Sequence, residues 1–135
     1  MQATAPARFR IRYSRALLPL FAVLGLGPTF SRVDLGPDDL RVAMGWAMRA
    51  RIPRASIVGA GTSRPIWWAI GVHGDFRGDW LVNGSPKGIV WLRLEPRVRA
   101  RVMGVPVRLR LLGLGLEDPD AFLAALAVPS IPAPW

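Results

Sequence analysis

The sequence has 135 residues and a formal net charge of +9, and seventeen of its eighteen basic side chains are arginines. A chain of this length corresponds to one domain and buries enough surface to fold without a disulfide or a metal. It contains no cysteine and one histidine, which excludes disulfides, thiolate chemistry and a histidine-rich zinc site. We therefore expect no metal and no cofactor, and the excess charge favours an anionic partner.

The N-terminal region combines a strand pattern with an apolar segment. "FRIRY" (9–13) alternates apolar and charged residues and predicts a half-buried strand. Residues 16–27 are apolar and follow four arginines, a pattern that resembles the start of a signal peptide. No small-residue cleavage site follows, and this segment, interrupted by Pro19, is shorter than the about 20 residues that span a bilayer. We interpret residues 17–30 as a connection that is buried or faces a partner.

Strand patterns continue to residue 116. "SRVDL" begins a strand, and "GPDD" (36–39) is a turn signal. Over residues 40–52 apolar residues alternate with arginines, which predicts two strands joined by a tight bend near Gly45. Turn formers bound three further β-prone runs: "PIWWAIGV" (65–72), "GIVWLRLEP" (88–96) and "VRARVMGVPVRLRLLGLGL" (98–116).

The pattern changes at residue 117. In "EDPDAFLAALA" (117–127), Asp118 is a good N-cap, Pro119 suits the first helical position, and apolar residues recur at helical spacing. The sequence therefore predicts a mainly β (α+β) domain over residues 1–128, in which about seven strands are closed by one C-terminal helix. Residues 129–135 form a Pro-rich tail.

Three segments carry a resemblance to known proteins: 31–57, 71–96 and 98–127. Their most specific parts are "MGWAMRARIPRASI" and "GDWLVNGS". The chain resembles a family of small uncharacterised bacterial proteins from high-G+C genomes, which is similar in element order to pleckstrin-homology-like (PH-like) domains. The resemblance implies a PH-like antiparallel barrel or sandwich and no particular activity. Phosphoinositide-binding PH domains carry basic residues between their first two strands, whereas "LGPDD" has none, so we expect no such binding there.

The polar segment 71–88 looks like an active-site loop. A hydrolase needs a nucleophile, a base that activates it and donors for the oxyanion. Ser85 lies in a turn sequence and no G-x-S-x-G motif occurs. Asp75 and Asp79 flank Arg77 and are expected to form local ion pairs or to cap backbone amides. We therefore predict turns rather than catalysis, and no enzyme.

Asn83-Gly84 has the composition of a two-residue hairpin turn with β-prone residues on either side. The sequence therefore predicts that residues 80–82 pair with residues 89–94. Tryptophans in these runs are expected to pack in the core, since aromatic residues dominate cores.

The strongest candidate site is a group of arginines. If "RVRARVMGVPVRLR" closes as a hairpin about Gly104-Val105, Arg101 lies opposite Arg108 and Arg99 lies opposite Arg110. The candidate binding residues are then Arg97, Arg99, Arg101, Arg108 and Arg110, on the face opposite the apolar side chains. Such a face is either solvated, with Glu95 or counterions relieving the repulsion, or an anion-recognition surface, because guanidinium groups suit phosphate and carboxylate.

Three functions compete. The first is a non-catalytic binding or scaffold module that contacts an acidic protein or an anionic membrane surface through these arginines, in the cytoplasm or at the inner face of the membrane. The second is a small-ligand or hydrolytic barrel with a pocket of Trp67, Trp68 and His73. The third, a nucleic-acid binder, ranks last because the interleaved aromatics of an RNA-binding sheet are not evident.

Overall fold

The computed structural model describes residues 7–64, 71–74, 77–85 and 87–131. Among these residues it has nine strands: β1 (Ala7–Phe9), β2 (Ser31–Leu35), β3 (Asp39–Met44), β4 (Met48–Pro53), β5 (Ile57–Thr62), β6 (Gly71–Gly74), β7 (Asp79–Asn83), β8 (Ile89–Val102) and β9 (Val105–Gly115). The helices are α1 (Leu18–Val23) and α2 (Pro119–Leu126). The mainly β class and the C-terminal helix are confirmed, with nine strands rather than about seven.

One curled sheet contains all nine strands. Eight of them follow the order β1-β2-β3-β4-β8-β9-β7-β6, and β5 pairs with β8 outside that order. The fourteen-residue strand β8 is its centre. One edge of β8 pairs with β9, and the other edge pairs first with β5 and then, near its end, with β4. Because β8 is shared in this way, the β1–β4 meander and the later strands enclose a common core.

The pairing predicted between residues 80–82 and 89–94 is wrong. Strand β7 lies between β6 and β9 and pairs with β9 in parallel, which departs from the all-antiparallel arrangement expected. The buried side chain of Asn83 explains why no tight hairpin forms. It accepts the Gly71 N–H at 3.1 Å and donates to the Ser85 carbonyl at 3.0 Å. The Asn83 side chain therefore links the end of β7 to β6, and the chain does not turn directly into β8.

The segment 17–30 contains a helix that the sequence analysis did not predict. Pro19 lies in the first turn of α1. A backbone N–H at this position would have no acceptor within the helix, so the proline costs no helical hydrogen bond. Phe21 is the buried residue of this helix and packs edge-on against Tyr13, with ring centroids 5.4 Å apart. Several other apolar side chains of the segment are exposed, so of the two alternatives expected, a buried connection does not hold and a partner-facing one stays a prediction. None of the described helices has the length and apolar character needed to cross a bilayer.

The core lies between the sheet and α2. The helix begins as predicted, since the Asp118 carboxylate accepts the Ala121 N–H at 3.0 Å and Pro119 is in the first turn. Phe122 is fully buried and meets Phe9 edge-on, with ring centroids 5.0 Å apart. Trp91 is buried as expected and donates its indole N–H to the Ser63 hydroxyl at 2.9 Å.

The described part of the tail is ordered against the sheet. The Ala60 N–H donates to the Pro129 carbonyl and the Ile131 N–H donates to the Ala60 carbonyl, both at 2.9 Å. A Cβ on Gly59 or Gly61 would lie within 2.4 Å of Ile131 atoms, so the glycines allow the tail to approach. Residues 129–131 therefore hydrogen-bond to β5 and extend the β structure.

Tyr13, the single tyrosine of the chain, fixes the segment that carries α1. Its hydroxyl donates to the Leu26 carbonyl at 2.7 Å, and the Ser31 hydroxyl donates to the same carbonyl at 3.2 Å. Burial raises the pKa of Tyr13 above its ordinary value of 10.0, and a hydrogen bond with Ser31 offsets part of this shift. The neutral phenol is thus the form that the fold requires.

Replacing Tyr13 by Phe is expected to lower the free energy of unfolding at neutral pH by about 0.5–1.5 kcal/mol, the net value of one hydrogen bond. In the wild type the stabilisation from neutral Tyr13 is complete below pH 10.0 and is lost as the pH rises toward the raised folded-state pKa. Urea unfolding at a series of alkaline pH values should therefore show a stability loss that Tyr13→Phe lacks. Phenolate absorbance that appears at the ordinary tyrosine pKa in the folded protein would contradict this account.

Candidate anion-binding surface

The β8–β9 hairpin turns at Met103 and Gly104, which both have positive φ (51° and 80°). In the resulting register Arg99 lies opposite Arg108, and Arg101 lies opposite Pro106. The predicted register, with Arg101 opposite Arg108, is wrong because the glycine takes the second turn position rather than the first. The error amounts to two residues, so every arginine keeps its predicted side of the strand.

All five predicted arginines, at positions 97, 99, 101, 108 and 110, are exposed. The intervening apolar side chains of the hairpin are buried: Val98, Ala100, Val102 and Leu109. Arg110 differs from the others because it makes a two-pronged ion pair with Asp79, with nitrogen–oxygen distances of 3.0 and 2.7 Å. Asp79 therefore joins β7 to β9 in addition to any contact with Arg77.

The basic surface is larger than the hairpin, and the sequence analysis did not assemble its other half. Arg49 on β4 lies directly opposite Arg101, and Arg41 on β3 lies opposite Arg51. Together they border an open groove of about 1230 Å³. Its charged lining residues are all arginines: Arg8, Arg32, Arg41, Arg49, Arg51, Arg99 and Arg101. We call these residues, with Arg97 and Arg108, the arginine face.

Carboxylates compensate one side of the arginine face. Asp34 lies 3.0 Å from Arg8 and 3.8 Å from Arg32. Asp39 bridges Arg41, at 3.8 Å, and Arg51. Ion pairs within the described residues do not reach Arg97, nor the other side of the groove and hairpin, where two facing pairs are formed by Arg49, Arg99, Arg101 and Arg108. We call these four the unpaired arginines.

The unpaired arginines include two pairs that lie directly across a ladder, Arg49 with Arg101 and Arg99 with Arg108. Like charges in such positions destabilise a sheet. Their potentials also add over the groove and attract anions. The repulsion between these arginines therefore lowers the stability of the sheet locally, and a bound anion would reduce that repulsion.

Exposed apolar side chains lie beside the groove, and two of them, Phe30 and Trp46, line it. Phe30, Trp46 and Met103 are 65, 55 and 59 % exposed. Leu24 and Val105 are exposed apolar residues in the same chain segments, 24–30 and 103–105. Trp46 has the parity of the apolar residues in the 40–52 pattern, but it lies in the bend between β3 and β4 and is exposed. We call Leu24, Phe30, Trp46, Met103 and Val105 the apolar rim.

Hydrogen bonds hold the segments of the apolar rim together. The Trp46 indole N–H donates to the Leu24 carbonyl at 2.8 Å, and the Met103 N–H donates to the Ala47 carbonyl at 3.0 Å. Gly45 has φ +53°, and a Cβ there would lie 2.0 Å from the Gly25 carbonyl oxygen. A glycine at this position therefore lets the segment after α1 rest on the β3–β4 bend.

The alternative pocket stays a prediction. Trp67 and Trp68 lie outside the described residues. For His73 the structure gives the backbone position, in β6 opposite Leu81. Within the described ranges, histidine and carboxylate side chains form no group of three that could hold a metal ion.

Comparison with protein-family models, curated proteins and solved structures found no match to this chain. The PH-like resemblance and the bacterial family are therefore still predictions. Functional inference depends on the surface itself.

Arg49→Gln is expected to raise the free energy of unfolding by a few tenths of a kcal/mol up to about 1 kcal/mol, because it removes the repulsion with Arg101. The gain should shrink when salt screens the charges. Urea unfolding at low and high salt measures both effects. Arg93→Gln is the matched control, since Arg93 is exposed on β8 opposite Leu111 and outside the groove. An equal gain in both variants would show that the repulsion across the ladder is unimportant.

Proposed function

We propose that the protein is a non-catalytic binding module that docks on an anionic membrane surface through its arginine face. The observation that carries this proposal is the position of the unpaired arginines beside the exposed apolar rim. The groove is lined by arginines, apolar residues and the hydroxyl residues Thr29 and Ser31, and no histidine or carboxylate is among its described lining residues. Such a lining supports binding rather than general acid–base chemistry.

The magnitudes favour a combination of charge and apolar contact. Each arginine close to an anionic leaflet contributes about 1 kcal/mol, so the four unpaired arginines supply about 4 kcal/mol. By itself this corresponds to weak, salt-sensitive attachment. Stable membrane association generally needs two signals, and burial of the apolar rim in the interfacial region provides the second.

The exposed apolar rim favours a bilayer over an acidic protein as the partner in this proposal. An acidic protein requires the arginine face alone, whereas a bilayer offers phosphate groups and an apolar layer side by side. Trp46 fits the interfacial zone, where tryptophan is enriched in membrane proteins. Exposed apolar residues on α1, among them Leu20 and Val23, continue the same end of the molecule.

Vesicle flotation tests the proposal. We expect the protein to float with phosphatidylcholine vesicles that contain phosphatidylglycerol and to dissociate from them when the salt concentration is raised. With vesicles of pure phosphatidylcholine the protein should remain in the bottom fraction. The variant Arg49→Gln/Arg99→Gln/Arg101→Gln should lose about a hundredfold in affinity, since it removes three charges worth about 1 kcal/mol each. Arg10→Gln/Arg64→Gln/Arg93→Gln removes the same charge from exposed positions outside the groove and should bind far better.

A second pair of variants tests the apolar rim. Phe30→Ser/Met103→Ser should weaken flotation at moderate salt, where charge alone does not hold the protein. Val58→Ser, an exposed apolar change on β5, should not. Equal binding by the charge variant and its control would contradict the proposal. Capture of a single acidic protein without any flotation would also contradict it and would identify a protein-interaction module.

A further inference from the structure

A second, smaller pocket lies on the arginine face. Its volume is about 460 Å³, within the range of small-molecule sites. Arg97, Arg99 and Arg108 supply its charged groups, and Trp80 and Gly78 complete one wall. The pocket shares Arg99 and Pro106 with the large groove, and its arginines belong to the arginine face, but it extends toward β7 through Gly78 and Trp80.

The polar groups that border this pocket are donors. The three guanidinium groups can only donate. Trp80 also lines the pocket, and its buried indole N–H has no hydrogen-bond partner among the residues that the structure describes. The Gly78 carbonyl already accepts the N–H groups of Arg110 and Leu111, at 2.8 and 3.1 Å.

The nearest carboxylate is also occupied. Asp79 follows Gly78 in the chain, but its two oxygens receive the guanidinium of Arg110. Among the described residues, no acidic side chain lines the pocket. The three exposed guanidinium groups therefore have no carboxylate partner in the described lining of the pocket, and an anionic ligand can supply the acceptor oxygens.

We propose that this pocket binds a phosphate monoester. The dianion presents several acceptor oxygens, which can be shared between Arg99 and Arg108 on facing strands and Arg97 at the end of the pocket. Guanidinium groups match phosphate geometry by paired N–H donors. The pocket volume exceeds that of a phosphate group, so it leaves space for the esterified part of the ligand.

This inference goes beyond the proposed membrane docking, because a soluble phosphate monoester needs no bilayer. The same chemistry is also presented by phosphatidic acid, whose headgroup is a phosphate monoester. The two sources share the pocket contacts and differ only in what carries the phosphate.

Calorimetric titration with glycerol 3-phosphate, at constant ionic strength set with chloride, tests the pocket. We expect saturable binding to the wild type and at least a tenfold loss of affinity in Arg99→Gln/Arg108→Gln. Arg64→Gln/Arg93→Gln removes the same charge outside the pocket and should bind like the wild type.

Vesicles identify the source of the phosphate. Stronger flotation with phosphatidic acid than with phosphatidylglycerol, at matched surface charge, would support a lipid headgroup as the ligand. Equal flotation together with tight glycerol 3-phosphate binding would support a soluble ligand. Either result supports the pocket.

The proposal is overturned if glycerol 3-phosphate binds no more tightly than chloride, or if Arg99→Gln/Arg108→Gln binds it as the wild type does. Failure of the two proposals is distinguishable. Phosphate ester binding without flotation keeps the pocket and removes membrane docking. Flotation without phosphate ester binding keeps membrane docking and removes the pocket.

Discussion

The register of the β8–β9 hairpin is the constraint on which the rest of the surface depends. Val98, Val102 and Leu109 are buried on one side of the hairpin, and burial of each such side chain stabilises the fold by about 1.5–3 kcal/mol. A slip of one residue would expose all of them. The repulsion between Arg99 and Arg108 is smaller, below about 1 kcal/mol. The core therefore fixes the register and forces the arginines to face one another.

The length and irregularity of β8 extend this constraint to the rest of the sheet. The pairing of β8 with β9 shifts between Arg93 and Val98, where residues 94–97 of β8 lie opposite the single residue Arg110 of β9. Such an irregularity redirects side chains and lets a strand pass from one part of a curled sheet to another. On β9, accordingly, Arg108 is exposed whereas Leu112, on the same side of the strand, is buried. Arg97, within the irregular stretch, lines the small pocket.

Local sequence patterns predicted the parts of the fold that local physics determines. The N-cap of α2, the β3–β4 hairpin and the two sides of the β8–β9 hairpin follow from residue type and spacing. The turn register was missed because either Met103-Gly104 or Gly104-Val105 could close the hairpin, and only the backbone conformation distinguishes them. The hairpin predicted at Asn83-Gly84 was wrong because the buried hydrogen bonds of Asn83 override the local turn signal.

The missing half of the candidate site required contacts between residues far apart in the chain. Arg49 meets Arg101 because β4 pairs with the end of β8, and no pattern in either segment indicates that pairing. Trp46 has the parity of a core residue, but its place in the bend exposes it. The apolar rim is likewise assembled from separate segments: the end of α1, the residues before β2 and two hairpin ends.

Fluorescence quenching by lipids brominated on their acyl chains tests most directly whether the apolar rim enters an anionic bilayer. The account predicts that phosphatidylglycerol vesicles containing these lipids quench part of the tryptophan emission, and that Trp46→Phe removes most of that quenching while flotation persists. If Trp46→Phe is quenched as strongly as the wild type, or if bound protein is not quenched at all, the apolar rim does not enter the membrane and the proposed orientation is wrong.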